Sequence, residues 1–322
     1  TRWYFVTGVQ TCALPISVSV DAFGDLDTAR WGPALGLGPD LGLRYSAAAL
    51  VRACAGVRAD AVVYGANLEN APSLVERLAH GRVCLGNLPA ALRVVRDPLA
   101  LAGILSGCAA AGVRVPRTWP PGVVPEVIGP GAAVGAGSRG AERASSAEGP
   151  RVPWLRKRLR SGGGLGVGFW RPGAHVGRGA FVQEFVEGVP GSAAFVSDGR
   201  GARLLGLTRQ WVGARVCGAR GFRYSGSVWP FGDDPDESWA LSSAALAAGD
   251  ALVRAAGLRG VWGFDFVARD GTLFVVEVNP RYTASMEVLE RVLGLSLFRL
   301  HVDACAGALP DAPALRPRAA GA

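Results

Sequence analysis

The stretch "GTLFVVEVNPRYTASME", residues 271–287, decides the reading of this chain. An apolar strand carries Glu277 and Asn279, stops at Pro280 and presents Arg281. Just upstream, "WGFDFVARD" (262–270) reads as a second apolar strand carrying Asp265. Asp270-Gly271 is a favoured hairpin-turn dipeptide, so strands at 261–268 and 272–279 are expected to pair. Side chains alternate along a strand, which puts Glu277 and Asn279 on one face, and hairpin pairing brings Asp265 beside them. Three hard oxygen donors without His or Cys are the set that Mg²⁺ selects, especially when nucleotide phosphates complete the shell; Mn²⁺ is the alternative ion.

Further upstream, "KRLRSGGGLGVG" (157–168) holds Lys157, the one lysine among 34 basic residues. A compact ammonium and a guanidinium are not equivalent against a phosphate, so a single retained lysine points to a specific contact. Gly162, Gly163 and Gly164 lack Cβ atoms and let backbone N–H groups turn toward an anion. No GK[ST] opens a helix there, so the stretch is not a P-loop. In "FVQEFVEGVPGS" (181–192) a strand ends in a hinge, where Gln183, Glu184 and Val186 offer polar and apolar groups of the kind a nucleotide base pocket needs. "GFRYSGSVWP" (221–230) supplies Arg223, Tyr224 and Ser225 as candidate contacts for an acceptor substrate.

The bulk properties narrow the class. The chain has 322 residues, 49% hydrophobic and 19% charged, and no apolar run approaches the length of a bilayer span. Six Cys without a CxxC pair and only three His argue against a zinc site or a disulfide framework, and fit a reducing cytoplasm. The net charge of +8 is spread along the chain rather than interleaved with aromatics. That pattern suits small anionic substrates better than nucleic acid.

Along the chain, strands at 17–21, 60–66 and 82–86 alternate with helices at 46–57 and 72–79, the pattern of a parallel sheet covered by helices. A helix capped by Gly112 follows, then a low-complexity stretch at 120–150 that reads as a flexible insert. Antiparallel hairpins from 153 to 212, a helix near 238–256, the two tail strands and one final helix at 284–305 complete an α+β unit. Residues 1–16, with "VTGVQTCALPI" at 6–16, resemble a translated sequencing-library adapter. On that reading the parallel unit lacks its own first strand, and the adapter peptide could fill the vacancy. "PDAPALRPRAAGA" (310–322) reads as a loop leading toward one more strand.

The order of lysine, glycine turn, hinge, Asp and Glu-x-Asn-x-Arg resembles the ATP-grasp superfamily, closest to its carboxylate–amine ligases, over about residues 60–305. "FGDLDT", "YGANLEN", "LGN" and "PRYTASMEVLE" resemble a branch linked to methanopterin- and methanofuran-type cofactor biosynthesis. The resemblance implies a truncated Rossmann-like domain (17–95), a lid subdomain (96–186) and a metal-binding subdomain (187–322), α/β followed by α+β, with the two ATP-grasp subdomains clamping ATP. It implies that Lys157 binds phosphate, that Gln183, Glu184 and Val186 hold adenine, and that Asp265, Glu277 and Asn279 ligate one or two Mg²⁺ ions. Arg281 would steady the transferred phosphoryl, and Arg96 would replace an earlier nucleotide-binding lysine. Where family members carry a ribose-binding Glu, this chain has Ser192, so Ser192 or Glu187 is the expected ribose contact. The implied activity is ADP-forming ligation of a carboxylate to an amine, without nucleic-acid or membrane partners and with a homodimer as the expected assembly. Phosphoryl transfer without ligation, or a regulatory protein with an inactive site, are the alternatives.

Overall fold

The computed structural model describes residues 3–5, 17–30, 32–65, 67–123, 153–232 and 235–311. The N-terminal unit begins with parallel strands β1 (Trp3–Phe5), β2 (Ser17–Asp21) and β3 (Ala34–Gly36), with the short helix α1 (Leu26–Ala29) between the last two. Helix α2 (Ala47–Ala55) starts where Ser46 Oγ accepts the Ala49 N–H at 3.1 Å, an N-cap that satisfies a first-turn donor. β4 (Ala61–Val63) pairs in parallel with β5 (Val83–Leu85) across α3 (Pro72–Ala79). β1 also lies against β4, which brings the two parallel strand groups of this unit side by side. Val62, Leu68, Val75 and Leu92 form its core with the inner face of α2.

Two short helices with Pro at the first turn follow, α4 (Pro89–Val95) and α5 (Pro98–Leu105). Proline fits there because its missing N–H would be unpaired in any case. Gly112, at φ 79°, caps the 3₁₀ continuation of α5 and turns the chain into β6 (Val113–Arg114). β6 pairs in parallel with the tail strand, so the chain from residue 98 to 114 belongs with the large C-terminal sheet and not with a lid beginning at 96. The small lid sheet has the order β7 (Thr118–Trp119), β10 (Ala180–Glu184), β8 (Trp154–Arg158), β9 (Gly168–Trp170) and is antiparallel throughout. The low-complexity stretch 120–150 lies, from residue 124 on, outside the described residues, as does the tail from 312.

The large sheet adds β11 (Val189–Asp198), β12 (Ala202–Val212), β13 (Tyr224–Val228), β14 (Arg259–Arg269) and β15 (Thr272–Asn279) in the order β13-β12-β11-β14-β15-β6. Helix α6 (Pro235–Ala256) covers one face; α7 (Ala284–Leu293) and α8 (Leu297–Cys305) cover the other. Period-two alternation divides the strands between these faces. Ala193 and Phe195 pack with α6, while Ala194 and Val196 pack with α7 and α8. Phe195 stacks on Trp262 at 4.6 Å between ring centroids. The single helix expected at 284–305 is two, because Gly294 at φ 61° ends α7 and Ser296 caps α8. Among the described residues no single helix is long and apolar enough to cross a membrane.

Helix α6 approaches the sheet closely at Gly249, where a Cβ would sit 2.5 Å from the Phe195 ring. Replacing a helix-interior glycine by alanine ordinarily stabilises by about 1 kcal/mol. Here Gly249→Ala is expected to destabilise, by about 1–3 kcal/mol from overpacking. Urea denaturation checks the sign.

Candidate nucleotide and metal site

The site begins with an irregularity in the tail hairpin. Phe266 pairs with Val275 but Asp265 pairs with Glu277, so Val276 is an extra residue, a β-bulge. Before the bulge Leu273 and Val275 face the α6 core; after it Val278 does. Strict alternation from Leu273 and Val275 would have sent Glu277 into that core as well. The bulge reverses the phase, and Glu277 and Asn279 emerge with Asp265 in a cleft of about 530 Å³ between the lid and the large sheet.

Within the cleft Asp265 Oδ2 accepts from Asn279 Nδ2 at 3.1 Å and Oδ1 accepts from Gln210 Nε2 at 2.8 Å. Glu277 Oε1 accepts from Arg96 Nη1 at 2.7 Å. Burial, with the Glu277 charge beside it, pushes the Asp265 carboxyl up to about 6. Burial acts the same way on Glu277, but Arg96 and Lys157 outweigh it and hold that carboxyl below its ordinary value. Burial pulls the Lys157 ammonium below its ordinary range, opposed by Glu277 and Asp265. Lys157 Nζ donates to Gln183 Oε1 at 3.0 Å, which ties the lid strand β8 to its neighbour β10 beneath the cleft. Two carboxylates and an amide whose N–H₂ is already engaged leave oxygen donors facing the cleft, a set that fits a hard divalent cation. Among the described residues no cluster of three or more His, Cys, Asp or Glu offers an alternative metal site.

The sequence-derived candidates separate into three groups. Asp265, Glu277, Asn279, Lys157, Arg281, Gly163, Gly164, Gln183, Glu184, Val186, Glu187 and Tyr224 all line the cleft. Gly162 lies just outside the lining, where a Cβ would meet Arg281 Nη2 at 3.9 Å. The others stand elsewhere. Arg96 is taken up by Glu277, by Val278 O at 2.9 Å, by Asn70 Oδ1 at 2.8 Å and by Ser161 O at 3.2 Å, so its guanidinium braces the Glu277 carboxylate and is not part of the cleft wall. Ser192 is 2% exposed and its Oγ accepts from Ser285 Oγ, which removes it from the cleft surface. Ser225 Oγ accepts the Ala214 N–H at 3.0 Å and shapes its own loop, and Arg223 also stands off the wall.

Sequence reasoning passed over Gln210, which orients Asp265, and over Phe222. Phe169, Phe185 and Phe222 form a T-shaped trio with centroids 5.3–6.2 Å apart, joining lid strand, hinge and the 221–224 loop. A Cβ on Gly164 would fall 1.8 Å from Phe222 O, and Tyr224 N–H donates to Gly163 O at 3.3 Å. Glycine at 164 is therefore needed for this close approach as well as for its φ of 75°. The N-terminal unit reaches the site through Asn87, whose Nδ2 donates to Pro280 O at 2.9 Å and whose Oδ1 accepts the Arg259 N–H at 2.8 Å.

Comparison with known proteins places this geometry. Residues 139–285 match a family model described as an ATP-grasp domain. Over 98% of this chain the fold superposes on 30% of a chain of pyruvate carboxylase from Rhizobium etli, with a TM-score of 0.68 and 16% identity. The biotin carboxylase domain of 2-oxoglutarate carboxylase from Hydrogenobacter thermophilus, solved as a dimer with MgADP, ADP and bicarbonate, aligns with a TM-score of 0.64 and 16% identity, over 96% of this chain and 70% of that one. An ATP-grasp superfamily protein from Archaeoglobus fulgidus aligns with a TM-score of 0.58 and 19% identity, over 96% and 89%. The bulged hairpin, the glycine turn and the hinge thus lie within the stretch that matches the ATP-grasp domain model.

Proposed function

We propose that the chain is an ATP- and Mg²⁺-dependent ligase that joins a small carboxylate to an amine through an acyl phosphate. The observation that carries this reading is the convergence of Asp265, Glu277 and Asn279 with the cations Lys157 and Arg281 in one cleft beneath a glycine turn. Asp265, Glu277 and Asn279 would hold Mg²⁺, which supplies charge neutralisation at the β- and γ-phosphates. Lys157 and Arg281 stabilise anionic oxygens, and the low dielectric of the cleft strengthens both interactions. Gln183, Glu184 and Val186 form the base pocket, with Phe185 giving it an apolar side. Glu187, which lines the cleft, takes the ribose role that buried Ser192 cannot. Gly163 and Gly164 close over the phosphates and keep water from the activated carboxylate.

The Hydrogenobacter neighbour, which holds MgADP and bicarbonate, supports a nucleotide beside a carboxylate-like anion in this fold. It also supports a homodimer as the assembly. The motifs resembling one-carbon cofactor biosynthesis support a small amino-acid-like substrate. An ADP-release screen of amino-acid and amine pairs tests the reaction. The expected result is release that needs both partners; release with the carboxylate alone means phosphoryl transfer without ligation.

Two further outcomes follow from the site. Asp265→Asn and Glu277→Gln should each lower Mg²⁺-dependent ADP release by about 10²-fold or more, measured in a coupled assay with circular dichroism to confirm folding. The Arg96 pair adds a cost to the second variant: removing the charge of Glu277 leaves a buried guanidinium short of its partner, so its Tm should fall while that of Asp265→Asn holds or rises.

The pH dependence has a definite sign. Asp265 binds a proton more tightly folded than unfolded, so its contribution to metal-free stability is present below about pH 4, the unfolded value, and is lost as pH rises through about 6. A cation competes with that proton. Mn²⁺ affinity in the presence of ADP, read by electron paramagnetic resonance, should fall by up to about tenfold per pH unit below 6. A flat profile from pH 7 to 5 would count against Asp265 as a ligand.

A further inference from the structure

The 3₁₀ turn Leu68–Asn70 of the N-terminal unit places two consecutive polar side chains against the ATP-grasp site. Asn70 Oδ1 accepts from Arg96 Nη2 at 2.8 Å, and Arg96 in turn holds Glu277. Glu69 Oε1 accepts from Arg281 Nε at 2.7 Å. Glu69 is 1% exposed, and its second oxygen, Oε2, is buried without a hydrogen-bond partner. Burying a carboxylate with one oxygen unsatisfied is costly, and an apolar side chain would fill the same space without that cost.

The arginine shows what this carboxylate does. The Arg281 guanidinium has three nitrogen atoms. Nε is held by Glu69, and Nη1 donates to Tyr282 O at 3.0 Å. Nη2 makes no hydrogen bond among the described residues and stands beside the glycine turn, 3.9 Å from where a Cβ on Gly162 would be. One edge of the guanidinium is fixed by protein and the remaining nitrogen is left at the cleft. A free arginine on a loop after a strand would sample many rotamers; a carboxylate on Nε selects the one that delivers Nη2.

We infer that Glu69 is a positioning residue, fixing Arg281 so that Nη2 meets the phosphoryl group in flight. The inference rests on the proposed nucleotide reading of the cleft. It gives the N-terminal unit, which contributes no lining side chain to the cleft, control over the reactive geometry through a single turn.

The test uses the full chain and a transition-state mimic. Calorimetry gives the affinity for Mg·ADP alone and for Mg·ADP with tetrafluoroaluminate, which stands in for the planar phosphoryl group. Wild type should bind at least about tenfold more tightly with the fluoride complex, since mimics of the transition state gain affinity over ground-state ligands. Glu69→Gln should keep its Mg·ADP affinity within about twofold yet lose most of that gain, as should Arg281→Met, and the double variant should lose no more than either single one. Should Glu69→Gln fail to fold, Glu69→Asp carries the same expectation, because it keeps the charge but withdraws it by one methylene. The inference is overturned if the variant retains the gain, if Mg·ADP binding weakens equally, if the two substitutions add, or if wild type binds Mg·ADP with no gain. Absence of Mg·ADP binding by wild type overturns the nucleotide reading and, with it, this one.

Discussion

The bulge at Val276 is the constraint on which the site depends. A strand buried on both faces has no solvent side on which to leave a carboxylate. Leu273, Val275 and Val278 all pack against α6, and only the extra residue between them frees Glu277 and Asn279 to face the cleft. The bulge sits on the residue between Val275 and Glu277, so the same irregularity that breaks the ladder sets Asp265 opposite Glu277. Shifting the phase by one residue would bury Glu277 in the α6 core and present Val278 to the cleft instead.

Bringing two carboxylates together in a recess has an electrostatic cost, and the surroundings show how it is met. Arg96 and Lys157 stabilise the charge on Glu277, whereas Asp265 receives hydrogen bonds from Gln210 and Asn279 and remains the more easily protonated of the two. The pair is therefore unequal: the Glu277 charge is already compensated by cations, and the Asp265 carboxyl is the one that more readily holds a proton. Arg96 links this asymmetry to the lid through Ser161 O and to the N-terminal unit through Asn70. The glycine-turn segment, the N-terminal unit and the Glu277 carboxylate consequently share one guanidinium.

Much of this was legible in the amino-acid order. The hairpin was, because Asp270-Gly271 marks the turn and the apolar runs on each side have strand length. Lys157 stood out by its rarity, and the glycine turn by its composition. What remained hidden depended on tertiary contacts. The resemblance puts Arg96 in the place of a nucleotide-binding lysine, but the sequence does not show that Glu277 lies 2.7 Å away. The resemblance leaves Ser192 and Glu187 as alternative ribose contacts; hydrogen bonding with Ser285 draws Ser192 inward, whereas Glu187 lines the cleft. The break at Gly294 and the membership of Val113–Arg114 in the large sheet escape the sequence for a similar reason: a glycine's left-handed turn and a two-residue parallel pairing leave almost no local pattern. The bulge itself is invisible to a count of alternating residues, which places Glu277 and Asn279 together but not on the correct side.

The account stands most directly on where a metal binds. Crystals of the full chain grown with ADP and Mn²⁺, measured at the manganese absorption edge, would locate the ion by anomalous scattering. The account predicts a peak within coordinating reach of Asp265, Glu277 and Asn279, with the nucleotide between the glycine turn and the 183–187 hinge. An ADP molecule bound with its manganese held away from these three side chains would contradict it.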